Sequence, residues 1–470
     1  MSYSFDVEKF KKTFKVQAKS EDELRLFNNS DELFHLFPYT VNNDNIDLEN
    51  VIYEFFRKAL KENESDIAKN SKKLIDKIKE KLSVEEKDTS ILEDIINKLF
   101  FVGNCFRANN IKLYPYQTPN QDQNSSKKFA DFLFSVFDLT EEDCEKIQEK
   151  VKKCNSNILE DLVYNILSEN QGIKKESSKN QKKYFLVKNN IQEKFKEDLN
   201  YMIDVDMTSI EDLLNLFELY FCYYISQTCI TLDSFCDGKR DTNNKIYFAL
   251  DWEKVSKNRL CRKRGFKTLQ ESIECMMIHA VTLEILNQND NKEKWDYIEF
   301  REYIKENPSE DEKVAEEIKK AENTYKEYIE KNIAEQFDKI RQKERDTYTE
   351  KAIRHLYDCV KKQFNESERK SVPKKYSQEY SDFCQNRWGK NRKKAGWVLN
   401  LTESDIIFLN KICLKRQEKI LLNDLYKSYE DRGIYLDKAS KESLQEFLIR
   451  LNLIDKKSDS GDAQYVKRIL

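Results

Sequence analysis

Eight glycines and five prolines are all that punctuate these 470 residues. A large sandwich, barrel or doubly wound sheet needs more turn positions than that, because Gly and Pro supply the backbone angles that tight turns require. The chain must run long distances between turns, which favours helices. Charged residues make up 36% and apolar residues 39%, and much of the charge alternates in sign, as on solvated helix faces. Twenty-eight Phe and 24 Tyr supply bulky core material and argue against wholesale disorder. The expectation is a mainly α, elongated, multi-domain helical protein with a minor β element.

The charge balance of 82 basic against 85 acidic residues leaves −3. A protein that wraps nucleic acid over its whole surface would be basic, so any such contact must be local. No apolar run approaches the roughly 18 residues of a membrane span, and Met1-Ser2-Tyr3-Ser4-Phe5-Asp6 does not read as a signal peptide. Eleven cysteines without CxxC or CxC spacing suit a reducing compartment. The expected location is the cytoplasm, with no membrane partner.

Five regions are expected along the chain. Residues 1–113 read as a helical domain, with helices signalled by Asn45 to Phe56 and by Ile91 to Phe100. Pro115 to Ser126 reads as an exposed loop and Gly172 to Lys183 as a surface break. Residues 127–305 form a central helical domain, in which Met207 to Ile230 is a helix buried on several sides and 245–252 is a short aromatic strand. Residues 307–372 hold a long charged helix and a following helix. Val314, Ile318, Ala321, Tyr325, Ile329, Ile333, Phe337 and Ile340 form its apolar stripe, which fits a coiled coil or a packed helix. Residues 373–400 read as a basic linker, and 401–470 as a separate module.

That last module is the most specific signal. Thr402 caps a helix burying Ile406, Leu409, Ile412 and Cys413. A second helix buries Leu421, Leu422, Leu425 and Tyr429 and stops at Gly433. Asp437 leads a third, with Leu444, Phe447, Leu448 and Leu451 facing inward. Leu453 to Lys457 and Ala463 to Arg468 then flank a polar turn, as in a hairpin. Three short helices and a two-stranded ribbon describe a winged helix-turn-helix. In that fold the third helix enters the major groove and the ribbon touches phosphates. Lys438, Lys441 and Gln445 on the helix, with Lys456 and Lys457 on the wing, are the candidate DNA-binding residues.

Upstream, Arg387, Lys390, Arg392, Lys393 and Lys394 interleave with two Trp and two Gly. From Cys384 onward 18 basic and 12 acidic residues give +6, leaving −9 for the rest. Local basicity of this kind is the footprint of a nucleic-acid face on a neutral protein, although a solvated linker fits the cluster equally well. Glu442 and Glu446 on the third helix would repel phosphates.

At these residues a family resemblance enters. The tail from Asn452 to Lys467 resembles the closing segment of DptG, also called DndG. Tyr247 to Lys254, with the basic stretch Arg259 to Gly265, is similar to it as well. DptG belongs to bacterial DNA phosphorothioation-dependent restriction. The resemblance implies a part in antiviral defence, double-stranded DNA as a ligand, and DptF and DptH as partners within a multi-subunit complex. It implies no catalytic motif.

Catalytic signatures are scarce. The sequence has no GxxxxGK[ST] and no GxGxxG after a strand. His35, His279 and His355 stand far apart without HExxH, so no metal or cofactor is expected. Cys222, Cys229 and Cys236 recur every seven residues, about 10.5 Å apart on a helix and too wide to share a metal. Asp251 and Glu253 alternate on the expected strand beside Lys254, but the spacing departs from the usual nuclease order, and strand-end acids more often act as caps. Three readings stand: a non-catalytic DNA-binding scaffold subunit, an adaptor whose winged helix docks a partner ATPase, and a metal-dependent nuclease.

Overall fold

The computed structural model describes residues 3–14, 17–20, 23–25, 47–82, 85–118, 123–169, 190–289, 294–341, 344–456 and 464–469. Among the described residues it is mainly α. The expected surface break at 172–183 and the wing residue Lys457 lie outside the described residues. Two units divide the chain. The first comprises Met1–Asp44, Leu186–Asn189 and Ile225–Asn400, and the second Asn45–Phe185, Asn190–Tyr224 and Leu401–Leu470.

In the first unit the helix Met276–Leu286 is buried at all eleven positions. A helix buried on every side, its His279, Thr282 and Glu284 included, is stable only when neighbours cover it and pair its polar groups. Tyr348–Glu366 and Val372–Trp388 both pack on it, and the Tyr3 hydroxyl donates to the Leu286 carbonyl at 2.8 Å. The helix Asp311–Lys326 lies along Tyr348–Glu366 and buries Val314, Ile318, Ala321 and Tyr325 there.

The expected long helix stops at Lys326, with separate short turns at Lys331–Ala334 and Phe337–Lys339. Its apolar stripe is still used, because the chain folds back and lays Phe337 against Tyr325 with ring centroids 6.4 Å apart. Spacing alone could not reveal the bend. The stretch 373–400 is likewise no linker. It holds most of the helix Val372–Trp388 and an antiparallel pair, Gly389–Asn391 with Trp397–Leu401. Pro373 sits in the first turn of that helix, where its missing N–H costs nothing. The strand expected over 245–252 forms only at Tyr247–Leu250, with Asp251 and Glu253 in the turn after it; it lies beside Trp397–Leu401, and Ala249, Cys261 and Val398 form a small core there.

In the second unit Leu48–Ala59 packs on Gln123–Val136. Phe55 sits among Phe134, Phe195 and Phe217, with centroids 4.7, 6.2 and 4.8 Å away. The expected exposed loop after Pro115 is a buried turn at its start: Ile111–Tyr116 is a 3-10 helix, and Gln117 is buried. The Arg57 guanidinium explains the difference, donating to the carbonyls of Pro115 at 2.7 Å and Gln117 at 3.1 Å. The helix Thr89–Phe100 forms as expected, yet it leaves Ile91, Ile95 and Leu99 exposed one turn apart.

The tail belongs to this second unit. Thr402 caps the first tail helix, Glu403–Leu414, in a reciprocal box with Asp405. The second tail helix, Leu422–Glu430, ends before Gly433, whose φ is 78°. A side chain at Gly433 would meet the Tyr223 ring at 2.3 Å, so glycine is required twice over. Asp437 caps the third tail helix, Lys438–Arg450, by accepting from the Ser440 N–H at 3.1 Å. The strands Ile454–Lys456 and Gln464–Lys467 pair antiparallel. A further strand, Lys419–Leu421, joins the outer side of Gln464–Lys467, giving three strands with Gln464–Lys467 in the middle. The sequence placed Leu421 in the second helix and Leu451 on an inner face; here Leu421 lies on this strand, and both are about two-fifths exposed.

Among the described residues no helix is long and apolar enough to cross a membrane.

Candidate nucleic-acid interface

Arg432 anchors the tail within its unit. Its guanidinium meets the Asp198 carboxylate through two bonds of 2.7 Å, and the Tyr220 hydroxyl donates to the same carboxylate at 2.7 Å. All three groups are buried. Tyr201 adds a bond of 3.1 Å to the Lys415 carbonyl. The face that the tail leaves exposed is therefore fixed by its buried attachments.

On the third tail helix, Lys438 and Lys441 are in different states. Lys438 is almost fully exposed, with Glu442 3.9 Å away. Lys441 instead turns toward the second tail helix, where it pairs with Glu430 at 3.1 Å and lies over the Tyr426 ring at 4.8 Å. Burial pushes the Tyr426 hydroxyl up to about 12, so it stays protonated and donates to the Lys441 carbonyl at 3.0 Å. Gln445 is half-buried, while Glu442, Glu446 and Ile449 are exposed beside Lys438. The surface of this helix is mixed, with the exposed cations Lys438 and Arg450 at its two ends and the exposed acids Glu442 and Glu446 between them.

The upstream cluster belongs to the first unit, not the tail's. Arg392 donates to the carbonyls of Leu250, Asp251 and Glu253 at 2.9, 3.2 and 2.9 Å and to the Asn400 side chain. Lys390 reaches the Asp251 carboxylate at 2.5 Å. Arg387 lies over the Trp388 ring at 4.9 Å. Lys390 and Arg392 tie the hairpin to the end of the strand Tyr247–Leu250 and the turn after it. Lys393 and Lys394 are exposed on the hairpin turn.

The same contacts account for the acidic pair. Glu253 accepts from the Leu250 N–H at 2.7 Å and pairs with Arg259 at 3.1 Å, while Asp251 holds Lys390. Each carboxylate has a structural task, as expected of strand-end acids.

The short tail strand carries cations that sequence reasoning missed. Lys419 stands opposite Lys467, and Leu421 opposite Tyr465. Lys419 lies 5.4 Å over the Tyr465 ring and 3.5 Å from Asp455. Arg468 follows, its N–H bound to the Glu418 carbonyl at 2.9 Å, and Lys467 and Arg468 are exposed. Val466, on the other parity, is buried. Lys456 pairs with Gln464 in the same sheet. A strand of three residues has no legible alternation, so only its pairing reveals it.

His35 lies outside the described residues, and the other two histidines have partners. His279 is buried between Asp233 and Tyr297, each 3.0 Å from a ring nitrogen. His355 lies 2.6 Å from Glu322 and 3.6 Å from Cys359.

No protein-family model and no curated protein matches this chain.

Proposed function

We propose that the chain is a DNA-binding and scaffold subunit of a DNA phosphorothioation-dependent restriction complex, contacting duplex DNA through a winged helix at its carboxyl end. The order of tail elements, helix, strand, helix, the two-residue strand Tyr435–Leu436, helix and two strands, with the last strand central in the three-stranded sheet, supports the winged-helix reading. One observation carries the DNA reading: Lys419 and Lys467 stand opposite each other beside Tyr465, with Arg468 exposed just past the strand end. Cations around an aromatic ring suit a phosphate backbone next to a sugar or base. The third helix, with Glu442 and Glu446 exposed, suits groove reading poorly. The contact is therefore mainly phosphate neutralisation, without strong sequence preference. The resemblance to DptG adds the restriction context and DptF and DptH as partners.

The test is a salt-titrated binding assay of the full chain on matched phosphorothioate and unmodified duplexes. Binding should weaken steeply with salt, and the double variant Lys419→Glu/Lys467→Glu should lower both affinity and salt slope. Unchanged binding would remove this face from DNA.

A second reading, an adaptor that docks a partner ATPase, is favoured by Ile449 and Leu451, both about two-fifths exposed beside Glu446. Partner capture lost in Ile449→Glu, with DNA binding intact, would select it.

A further inference from the structure

We propose that Glu322, His355 and Cys359 in the first unit form a binding site for a divalent cation of the Zn²⁺ class. One ligand atom from each, a carboxylate oxygen, Nδ1 and Sγ, lies within 4.8 Å of the others. The Nδ1 to Sγ separation of 3.6 Å is close to that of two donors on one tetrahedral ion, given bonds of about 2.0 and 2.3 Å. Nitrogen, thiolate and carboxylate are the donor types Zn²⁺ takes, and three protein donors leave one position for solvent.

The scaffold is rigid where such a site needs it. His355 and Cys359 are one turn apart on Tyr348–Glu366, and Glu322 comes from the helix packed along it, Asp311–Lys326. Glu322 and Cys359 are buried, while His355 is about one-fifth exposed, which gives an ion a way in. The supporting contacts match those that orient metal ligands. The His355 ring also hydrogen-bonds the backbone at Phe337, leaving Nδ1 toward Glu322 and Cys359. Lys326 holds the other oxygen of Glu322 at 3.1 Å, so Oε2 faces the histidine. A ligating histidine bonded through its second nitrogen to a carbonyl, and a ligating carboxylate hydrogen-bonded in turn, are the usual outer partners of a protein-bound ion.

Binding would displace the proton between His355 and Glu322 and the thiol proton of Cys359, so ion uptake releases protons. No electron transfer is involved.

The full chain, stripped with a chelator, is titrated with Co²⁺ as a spectroscopic substitute for Zn²⁺. The expected result is one equivalent bound with a thiolate charge-transfer band, displaced by Zn²⁺. Cys359→Ser should abolish the band, and Lys326→Met should weaken binding about 10- to 100-fold through loss of support for Glu322. His355→Asn keeps the thiol and serves if Cys359→Ser fails to fold; it too must weaken the band at matched Co²⁺. Absence of a thiolate band in the wild-type chain overturns the proposal, as does an unchanged band in Cys359→Ser or His355→Asn. Either result would leave the trio a plain ion-pair network.

Discussion

Lys419 and Lys467 face each other directly across two antiparallel strands. Like charges in that position repel, and the sheet tolerates them because Tyr465 and Asp455 flank Lys419. Replacing Lys467 with Thr should therefore raise the thermal midpoint slightly while weakening duplex binding. A lowered midpoint together with unchanged binding would show that the pair serves the sheet and not a ligand. For Lys419→Glu/Lys467→Glu, losing two phosphate contacts should lower the slope of log K against log salt by roughly 2.

The Asp198–Arg432 pair predicts a contrast between single and combined replacements. Arg432→Leu leaves the buried Asp198 carboxylate with only Lys415, 3.1 Å away, and the Tyr220 hydroxyl, and should cost about 1–3 kcal/mol by urea denaturation. Replacing Asp198, Tyr220 and Arg432 together with Leu, Phe and Met removes the orphaned groups, so it should cost much less than the sum of the singles. Additive losses would mean that the three groups do not act as one network.

Gly433→Ala should destabilise by more than about 1 kcal/mol from backbone handedness alone. The ring of Tyr223, 2.3 Å from the added methyl, enlarges the loss. Tyr223→Ala should recover the steric part of it in the double variant but not the backbone part. Full recovery would put the whole cost in the clash.

His279 carries a pH prediction. Burial pushes its imidazole below the ordinary 6.5, and this outweighs the hydrogen bond to Asp233 that favours the charged form. Tyr297, Tyr357 and Lys361 are its other titratable or charged neighbours, with Phe235 against the ring. The folded chain holds His279 neutral, whereas the unfolded chain takes up a proton as pH falls through about 6.5. Stability should fall below that pH. His279→Gln should cost about 1–3 kcal/mol at pH 7.5 for its buried partners, and the gap to wild type should narrow as pH drops to 5.5. A constant gap in urea midpoints would contradict this sign.

Arg392→Ala and the pair Lys393→Ala/Lys394→Ala should separate structural from surface cations in one hairpin. The first removes one donor from each of three carbonyls, of which Asp251 keeps Lys390 and Leu250 keeps the Glu253 N–H, and should lower the midpoint. The second should leave it unchanged. Equal effects would mean that Arg392 does not hold the strand.

Local signals were legible where they were complete within a few residues. Thr402 with Asp405, Asp437 before the third tail helix, and Gly433 after the second each close a helix end through neighbouring groups, and each appears as read. Tyr247 to Leu250 was legible for the same reason, being short, aromatic and bounded by polar turns. What the sequence could not carry was pairing at a distance. Arg392 reads as one more cation in a basic run until Leu250 and Glu253 are placed beside it. Pro115 and Gln117 read as loop until Arg57 takes their carbonyls. His355 looks solitary until Glu322 arrives from another helix, although Cys359 four positions on was a visible hint. Leu421, directly before the helix that starts at Leu422, had no alternation to distinguish strand from helix.

Arg432 has a bearing on how the protein is made. Asp198 leaves the ribosome more than two hundred residues ahead of the arginine that neutralises it. Until the final stretch emerges, the nascent second unit holds an acid and a tyrosine whose proper partner is still being synthesised. Its assembly must therefore be largely post-translational, while Ile225–Asn400 is free to begin folding earlier. A stop codon before Arg432 would remove more than the wing: it would leave the buried Asp198 with Lys415 as its one remaining cation among the described residues, so deleting the tail is a test of folding before it is a test of DNA.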